Sequence, residues 1–246
     1  MKLSIGHKTD PGPRKGSNED SLLAVLPTER PGMALLVVAD GMGGAKGGEH
    51  ASKEAVNIIR RELLDGGLPS PQNASERLRA AVTAANASIH YMGATNPEME
   101  GMGCTVVVTL VLDDTFWVAS VGDSRAYLIR NNQIKQLTND HTWVSQQVRD
   151  GVLTAEQAAR HSLRHVLDRA LGAENSIKVD VWPDDELEPG DTIILCTDGL
   201  YGVLDNQAMR DIASGYPAEQ AAEELVKHAL VAETRDNVSA VVLKAG

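Results

Sequence analysis

The chain has 246 residues, 42% of them hydrophobic and 23% charged, enough to bury one substantial core, and nothing in it reads as a linker between halves. A net charge of −11 excludes nucleic-acid binding through a clustered positive surface, and no run approaches the roughly 18 to 20 apolar residues that span a bilayer. Cys104 and Cys196 each sit inside an apolar run, where a reduced thiol serves as a small hydrophobe rather than a disulfide partner or metal ligand.

In chain order, the N-terminus leads into a polar-flanked strand over Leu3 to Lys8 rather than an apolar signal segment, so a cytoplasmic protein is expected. Strands are expected next over Ser21 to Leu26 and Met33 to Ala39. The second is apolar at every position from Ala34 to Ala39, which implies burial on both faces. Ala51, Ala55, Ile58, Ile59 and Leu63 form one helical stripe. Leu78, Ala81, Val82, Ala85 and Ile89 form another, preceded by a capping pattern at Asn73 and Glu76. Short strands then follow one another: Thr105 to Leu112, Phe116 to Val121, Ala126 to Ile129 and Gln133 to Leu137, with hairpin turns at Asp113-Asp114 and Asn131-Asn132.

Thr138 to Asp168 is polar and interrupted, and reads as an excursion beside the core with a short helix starting at Thr154. Its His141 stands where the sheet gives way to this flap and is read as a brace for the hinge, with Trp143 as an anchor. Strands over Thr192 to Cys196 and Val238 to Leu243 enclose a third helix, striped by Ala218, Ala221, Ala222, Leu225 and Ala229. Strands without intervening helices imply antiparallel sheets, and one-striped helices need sheets to cover. The expected fold is therefore α+β: a four-layer α/β/β/α sandwich of two mainly antiparallel sheets, forming a single domain over 1–246 with a flap at about 138–168.

Asp40, Asp198 and Asp236 each stand at the end of an apolar strand or just before one, beside glycine or asparagine. Converging carboxylates repel unless a cation lies between them. With oxygen ligands and no histidine or cysteine in these motifs, magnesium or manganese is expected rather than zinc. Two such ions roughly 3.5 to 4 Å apart acidify a bridging water and set it for in-line attack on phosphorus. A nucleotide-binding reading of Gly41 to Lys46 fails, because Lys46 stands where the dinucleotide fingerprint wants glycine or alanine, and Ala45-Lys46-Gly47 replaces Gly-Lys-Ser/Thr.

The ordered motifs Thr9-Asp10-x-Gly12, Ser17 to Ser21, Val38 to Gly44, Gly101 to Thr105, Val121 to Arg125, Asp140-His141-Thr142, Cys196 to Leu200 and Arg235 to Val238 resemble the protein phosphatase type 2C family, in its compact bacterial branch. That resemblance implies a serine/threonine phosphoprotein phosphatase with two or three manganese or magnesium ions. Asp40 would bridge both ions, the Gly41 carbonyl would hold one of them, and Asp198 with Asp236 would complete the other. Asp20 would hold metal-bound waters, and Asp123 with Asp198 would bind a weaker third ion. Phosphoprotein substrates of a cognate kinase and a monomeric state are implied as well. The alternative is a non-catalytic phosphoprotein-binding module on the same fold.

Two departures from the family pattern stand out. Lys15 occupies the place of the arginine that grips phosphate, with Arg14 one residue earlier, so either is a candidate for that role. Met42 and Ala45 occupy places where relatives carry histidine, which leaves the leaving-group proton to a metal-bound water or to a histidine elsewhere. His161 and His165, four residues apart, are flap histidines that could share a helix face, and His161 is the one nominated to lie near substrate.

Overall fold

The computed structural model describes residues 1–13, 18–43 and 47–246, with no side-chain description for Pro183 and Asp184. The elements in chain order are β1 (Leu3–Asp10), β2 (Asp20–Val25), β3 (Met33–Met42), α1 (Gly47–Arg60), α2 (Ala74–Thr95), β4 (Gly103–Cys104), β5 (Val106–Leu112), β6 (Thr115–Val121), β7 (Arg125–Arg130), β8 (Gln133–Gln136), α3 (Trp143–Arg149), α4 (Ala155–Ala159), β9 (Asp180–Glu186), β10 (Thr192–Cys196), α5 (Asp198–Tyr201), α6 (Asn206–Gly215), α7 (Ala218–Val231) and β11 (Val238–Ala245). Among the described residues they make two sheets, ordered β1-β11-β10-β7-β8 and β2-β3-β5-β6-β9, with β4 added to β3. Every pairing is antiparallel, as expected.

The period of two along each strand explains why the central runs are apolar throughout. In β3, Leu35 and Val37 pack with Ala51, Ile59, Leu78 and Ile89 of α1 and α2, while Ala34, Leu36 and Val38 face the other way. Those three meet Ile193 and Leu195 of β10 and Val241 and Leu243 of β11, which form the layer between the sheets. The opposite faces of β10 and β11, through Ile194, Cys196, Ala240 and Val242, are covered by α6 and α7. The α/β/β/α order follows, and both cysteines are buried free thiols.

The two hairpins form as read. Asp113 adopts a positive φ between Leu112 and Thr115, and Asn131 and Asn132 both do so between Arg130 and Gln133, the backbone that a tight two-residue hairpin demands. The capping box expected at Asn73 and Glu76 does not form. Asn73 gives α2 no side-chain cap; its Oδ1 accepts from the Ser70 amide instead, at 2.8 Å. The box appears at Thr154, whose hydroxyl and Gln157 cap α4 reciprocally.

Strand β9 was not anticipated, because Asp180–Glu186 carries four acidic residues and Pro183 and lacks an alternating pattern. It is tolerated as an edge strand, paired among the described residues with β6 alone and with a register shift between Phe116 and Val118. Helix α6 was also not anticipated; Met209 and Ala213 give it a short buried stripe.

The flap runs out from Thr138 and back to Leu171. Its two stalks pair at Thr142 and Leu167, and the Cys104 to Leu171 bridge sews the return to β4. His161 and His165 do not share a helix face: the chain after α4 runs through turns there.

Candidate metal centre

The ends of the two sheets meet at a cleft of about 840 Å³ lined by Asp40, Gly41, Asp123, Asp198 and Asp236, and also by Glu19, Arg164 and His165. Each aspartate arrives by a different route. Asp40 sits in β3 opposite Asp20 of β2 in the ladder. Regular pairing of β3 with β5 stops at Val38, because Thr105 takes over at the next step. Its amide donates to the Asp40 carbonyl at 2.8 Å, and its hydroxyl replaces a ladder carbonyl as acceptor for the Asp40 amide at 3.1 Å. The same hydroxyl lies 2.7 Å from Ser124 Oγ, which fixes the neighbour of Asp123 to the neighbour of Asp40.

Asp198 opens α5 directly after β10, and Asp236 precedes β11, the strand paired with β10. Their segments touch at backbone distance: a Cβ on Gly199 would lie 2.0 Å from the Asn237 carbonyl oxygen, so any side chain there would push Asp198 and Asp236 apart. Asn237 closes the join by accepting from the Glu19 amide at 2.8 Å and donating to the Pro11 carbonyl at 2.9 Å.

Asp20 is buried beneath the cleft. Its Oδ2 accepts from Thr197 Oγ1 at 2.9 Å and Ser239 Oγ at 2.7 Å, while its Oδ1 is buried with no hydrogen-bond partner. Such an orphaned acceptor costs free energy unless a water or ion meets it. Burial first, then the charges of Asp198 and Asp236, lift its pKa to about 7 against the two hydroxyl donors. Burial, Asp198 and Asp140 do the same to Asp123, again to about 7. Asp40 is raised well above the usual carboxylate range by burial and then by Asp20, Asp198, Asp123 and Asp236 in turn.

Burial together with repulsion from neighbouring carboxylates disfavours the charged forms here, and a divalent cation among them would relieve it. Among the described residues no three acidic, histidine or cysteine side chains close into a ready-made cage. Magnesium and manganese take hard oxygen ligands and keep several waters of their own. The oxygen-only donors and the orphaned Asp20 oxygen both fit such ions.

The family model of protein phosphatase 2C matches residues 14–235. The chain belongs to the protein phosphatase 2C family. Within that family it is 31% identical to protein phosphatase PhpP of Streptococcus pneumoniae over 242 residues, covering 98% of this chain and 97% of the relative. Serine/threonine phosphatase Stp1 from Staphylococcus aureus superposes with a TM-score of 0.92 at 30% identity, over 100% of this chain and 96% of that one. The catalytic domain of serine/threonine protein phosphatase PstP, solved in complex with two manganese ions, superposes at 0.84 with 32% identity, over 98% and 97% of the two chains.

Against this type 2C frame, Arg14 and Lys15 lie outside the described residues. His161, nominated to lie near substrate, stacks against Trp143 with ring centroids 5.1 Å apart and is not among the cleft-lining residues. The flap histidine at the cleft is His165, whose Nδ1 lies 3.7 Å from Asp198 Oδ2. Turns rather than a helix carry the two rings, so four-residue spacing said nothing about which one faces the aspartates.

Sequence reasoning also passed over Arg125. It grips Asp140 through Nε at 3.0 Å and Nη2 at 2.6 Å, reaches Tyr127 Oη, and lies 3.6 Å above the Tyr201 ring, whose hydroxyl donates to the Asp123 carbonyl at 2.9 Å. The quoted Gly-Asp-Ser-Arg motif held it, but nothing local pointed to Asp140 as its partner. Arg125→Met would leave the mostly buried Asp140 carboxylate without its counter-charge, keeping the hydrogen bond from Gln136 Nε2 at 3.0 Å, and is expected to lower unfolding free energy by about 3 kcal/mol, read by urea denaturation.

Proposed function

We propose that this chain removes phosphate from phosphoserine and phosphothreonine of protein substrates, as one catalytic domain over 1–246, using manganese or magnesium held by Asp40, the Gly41 carbonyl, Asp198 and Asp236. The observation that carries the reading is Asp40 itself, which lines an open cleft together with Asp123, Asp198 and Asp236 and is raised by burial and then by the charges of four other aspartates. When bound, such ions would neutralise the carboxylates, polarise phosphoryl oxygens and acidify water for attack on phosphorus.

The chain's own residues do the placing. The rigid ends of β3, β10 and β11 hold the three aspartates, and the buried Asp20 presents Oδ1 as an acceptor for an ordered water. Asp123, fixed through Ser124 and Thr105, is the ligand proposed for a weaker third ion. His165 at 3.7 Å from Asp198 is the flap group placed to carry a proton toward the departing oxygen. Arg14 or Lys15 is proposed to grip the phosphate.

The full set of aspartates leaves the binding-module alternative without a feature in its favour. Metal-loaded protein mixed with a phosphothreonine peptide should release inorganic phosphate over many turnovers; stoichiometric binding without release would overturn the proposal. A cognate protein kinase as the source of substrates, a monomeric state and a cytoplasmic location complete the proposal. The free thiols Cys104 and Cys196 suit a reducing compartment.

The raised carboxylates imply a pH signature. A group whose folded pKa exceeds its unfolded value favours the folded state below the unfolded pKa, and loses that contribution as pH climbs through the folded pKa. For Asp20 and Asp123 the window runs from 3.8 to about 7. The melting temperature of chelator-treated protein should therefore fall as pH rises from 5 to 8, and added manganese should restore more stability at pH 8 than at pH 5. A flat metal-free profile would show that the carboxylates do not crowd one another.

A further inference from the structure

His141 lies outside the cleft but is almost completely buried, 1% exposed, and every polar atom it has is committed. Its amide donates to the Gly122 carbonyl at 3.0 Å, and the Gly122 amide donates back to its Nδ1 at 2.9 Å. An accepting Nδ1 puts the proton on Nε2, which donates to Asp180 Oδ2 at 3.2 Å. The other oxygen of Asp180 accepts from Arg169 Nη1 at 3.0 Å. Burial, assisted by Arg169, lowers the pKa of the ring and keeps it in the neutral form these bonds require.

Each end of this chain of bonds matters to a different part of the molecule. Gly122 is the residue before Asp123 and turns there with φ of +96°, hard against the Thr105 side chain, so no other residue fits. His141 stands on the outgoing stalk of the flap, whose carbonyl also accepts from the Asp168 amide at 3.0 Å. Arg169 stands on the returning stalk, and Asp180 opens β9 opposite Ser120 of β6. The imidazole thus joins the Asp123 turn to the edge of the sheet and, through Asp180 and Arg169, to the returning stalk, while the His141 carbonyl ties the two stalks directly.

We propose that His141 is a positioning residue that makes the Asp123 turn and the two stalks of the flap one rigid unit, so that the placement of the flap over the cleft is set from the Asp123 end. This rests on the phosphatase reading of the cleft, and extends it from the aspartates to what aligns them with the substrate-covering segment. A hinge braced only for stability would need the Asp180 tie and not the reciprocal pair with Gly122.

The two bonds of the ring can be cut separately. Asparagine places an amide oxygen near where Nδ1 stands and cannot reach Asp180, whereas glutamine reaches Asp180 and leaves the Gly122 amide without an acceptor. Hydrogen exchange read by mass spectrometry on metal-free protein should show His141→Gln speeding exchange about tenfold both in 119–123 and in the returning stalk 166–171. The same variant should raise the manganese concentration for half-maximal activity about tenfold and raise KM for a phosphothreonine peptide more than it lowers kcat. His141→Asn should recover the manganese requirement and the protection of 119–123, leaving only the stalk loosened.

Arg169→Gln cuts the unit from its far end, and should speed exchange in 119–123 although it touches neither Gly122 nor His141. Loosening confined to the segment next to each substitution, with unchanged manganese dependence, would overturn the proposal. Because exchange is read without metal or substrate, that outcome is distinct from wild-type protein failing to release phosphate, which would instead sink the phosphatase reading.

Discussion

Asp40→Asn is expected to lower phosphatase activity by at least roughly 10³-fold, about 4 kcal/mol of transition-state stabilisation, while leaving the fold intact. The carboxylate is the one toward which Asp20, Asp198, Asp123 and Asp236 all direct repulsion. In the proposed mechanism it would also be a ligand of the bound cations, so its loss would weaken their binding. The same repulsion predicts an opposite effect on stability. Metal-free Asp40→Asn should melt at a higher temperature than metal-free wild type at pH 8, because a neutral amide of the same shape relieves the buried charge. Inactivity with raised metal-free stability separates a lost ligand from a damaged fold. An Asp40→Asn protein with near-normal turnover would remove Asp40 from the mechanism.

Chelation is expected to have an effect of similar size. Protein stripped with EDTA should show no p-nitrophenyl phosphate hydrolysis above background, and manganese should restore it. At a hundredfold excess over its dissociation constant, manganese should also stabilise the fold by about 2.7 kcal/mol, visible as a rise in melting temperature. In Asp40→Asn both responses should vanish together. Turnover indifferent to EDTA would mean that the cleft works without cations, and the oxygen-only donor set would then need another explanation.

The strand-end aspartates could be read from sequence because each motif is local: an apolar run, a carboxylate, then glycine or asparagine. The sandwich could be read for a similar reason, since runs such as Ala34 to Ala39 have room for no solvent face. The hairpins at Asp113-Asp114 and Asn131-Asn132 were equally visible, because Asp113, Asn131 and Asn132 themselves carry the positive φ. By contrast β9 has no pattern of its own and exists because β6 offers an edge. The cap expected at Asn73 failed because the Ser70 amide competed for the same oxygen.

What the sequence by itself determined is the kind of chemistry: hard, oxygen-rich carboxylates on rigid strand ends, within a fold that buries two sheets against each other. What only the tertiary structure decided is who meets whom. Asp20 finds Thr197 and Ser239 across 177 and 219 residues of chain, Arg125 finds Asp140, and His165 rather than His161 faces Asp198. Periodicity and motif report the backbone within a few residues, whereas a hydrogen bond between distant side chains depends on sheet order and register, which are settled only when the whole core has packed.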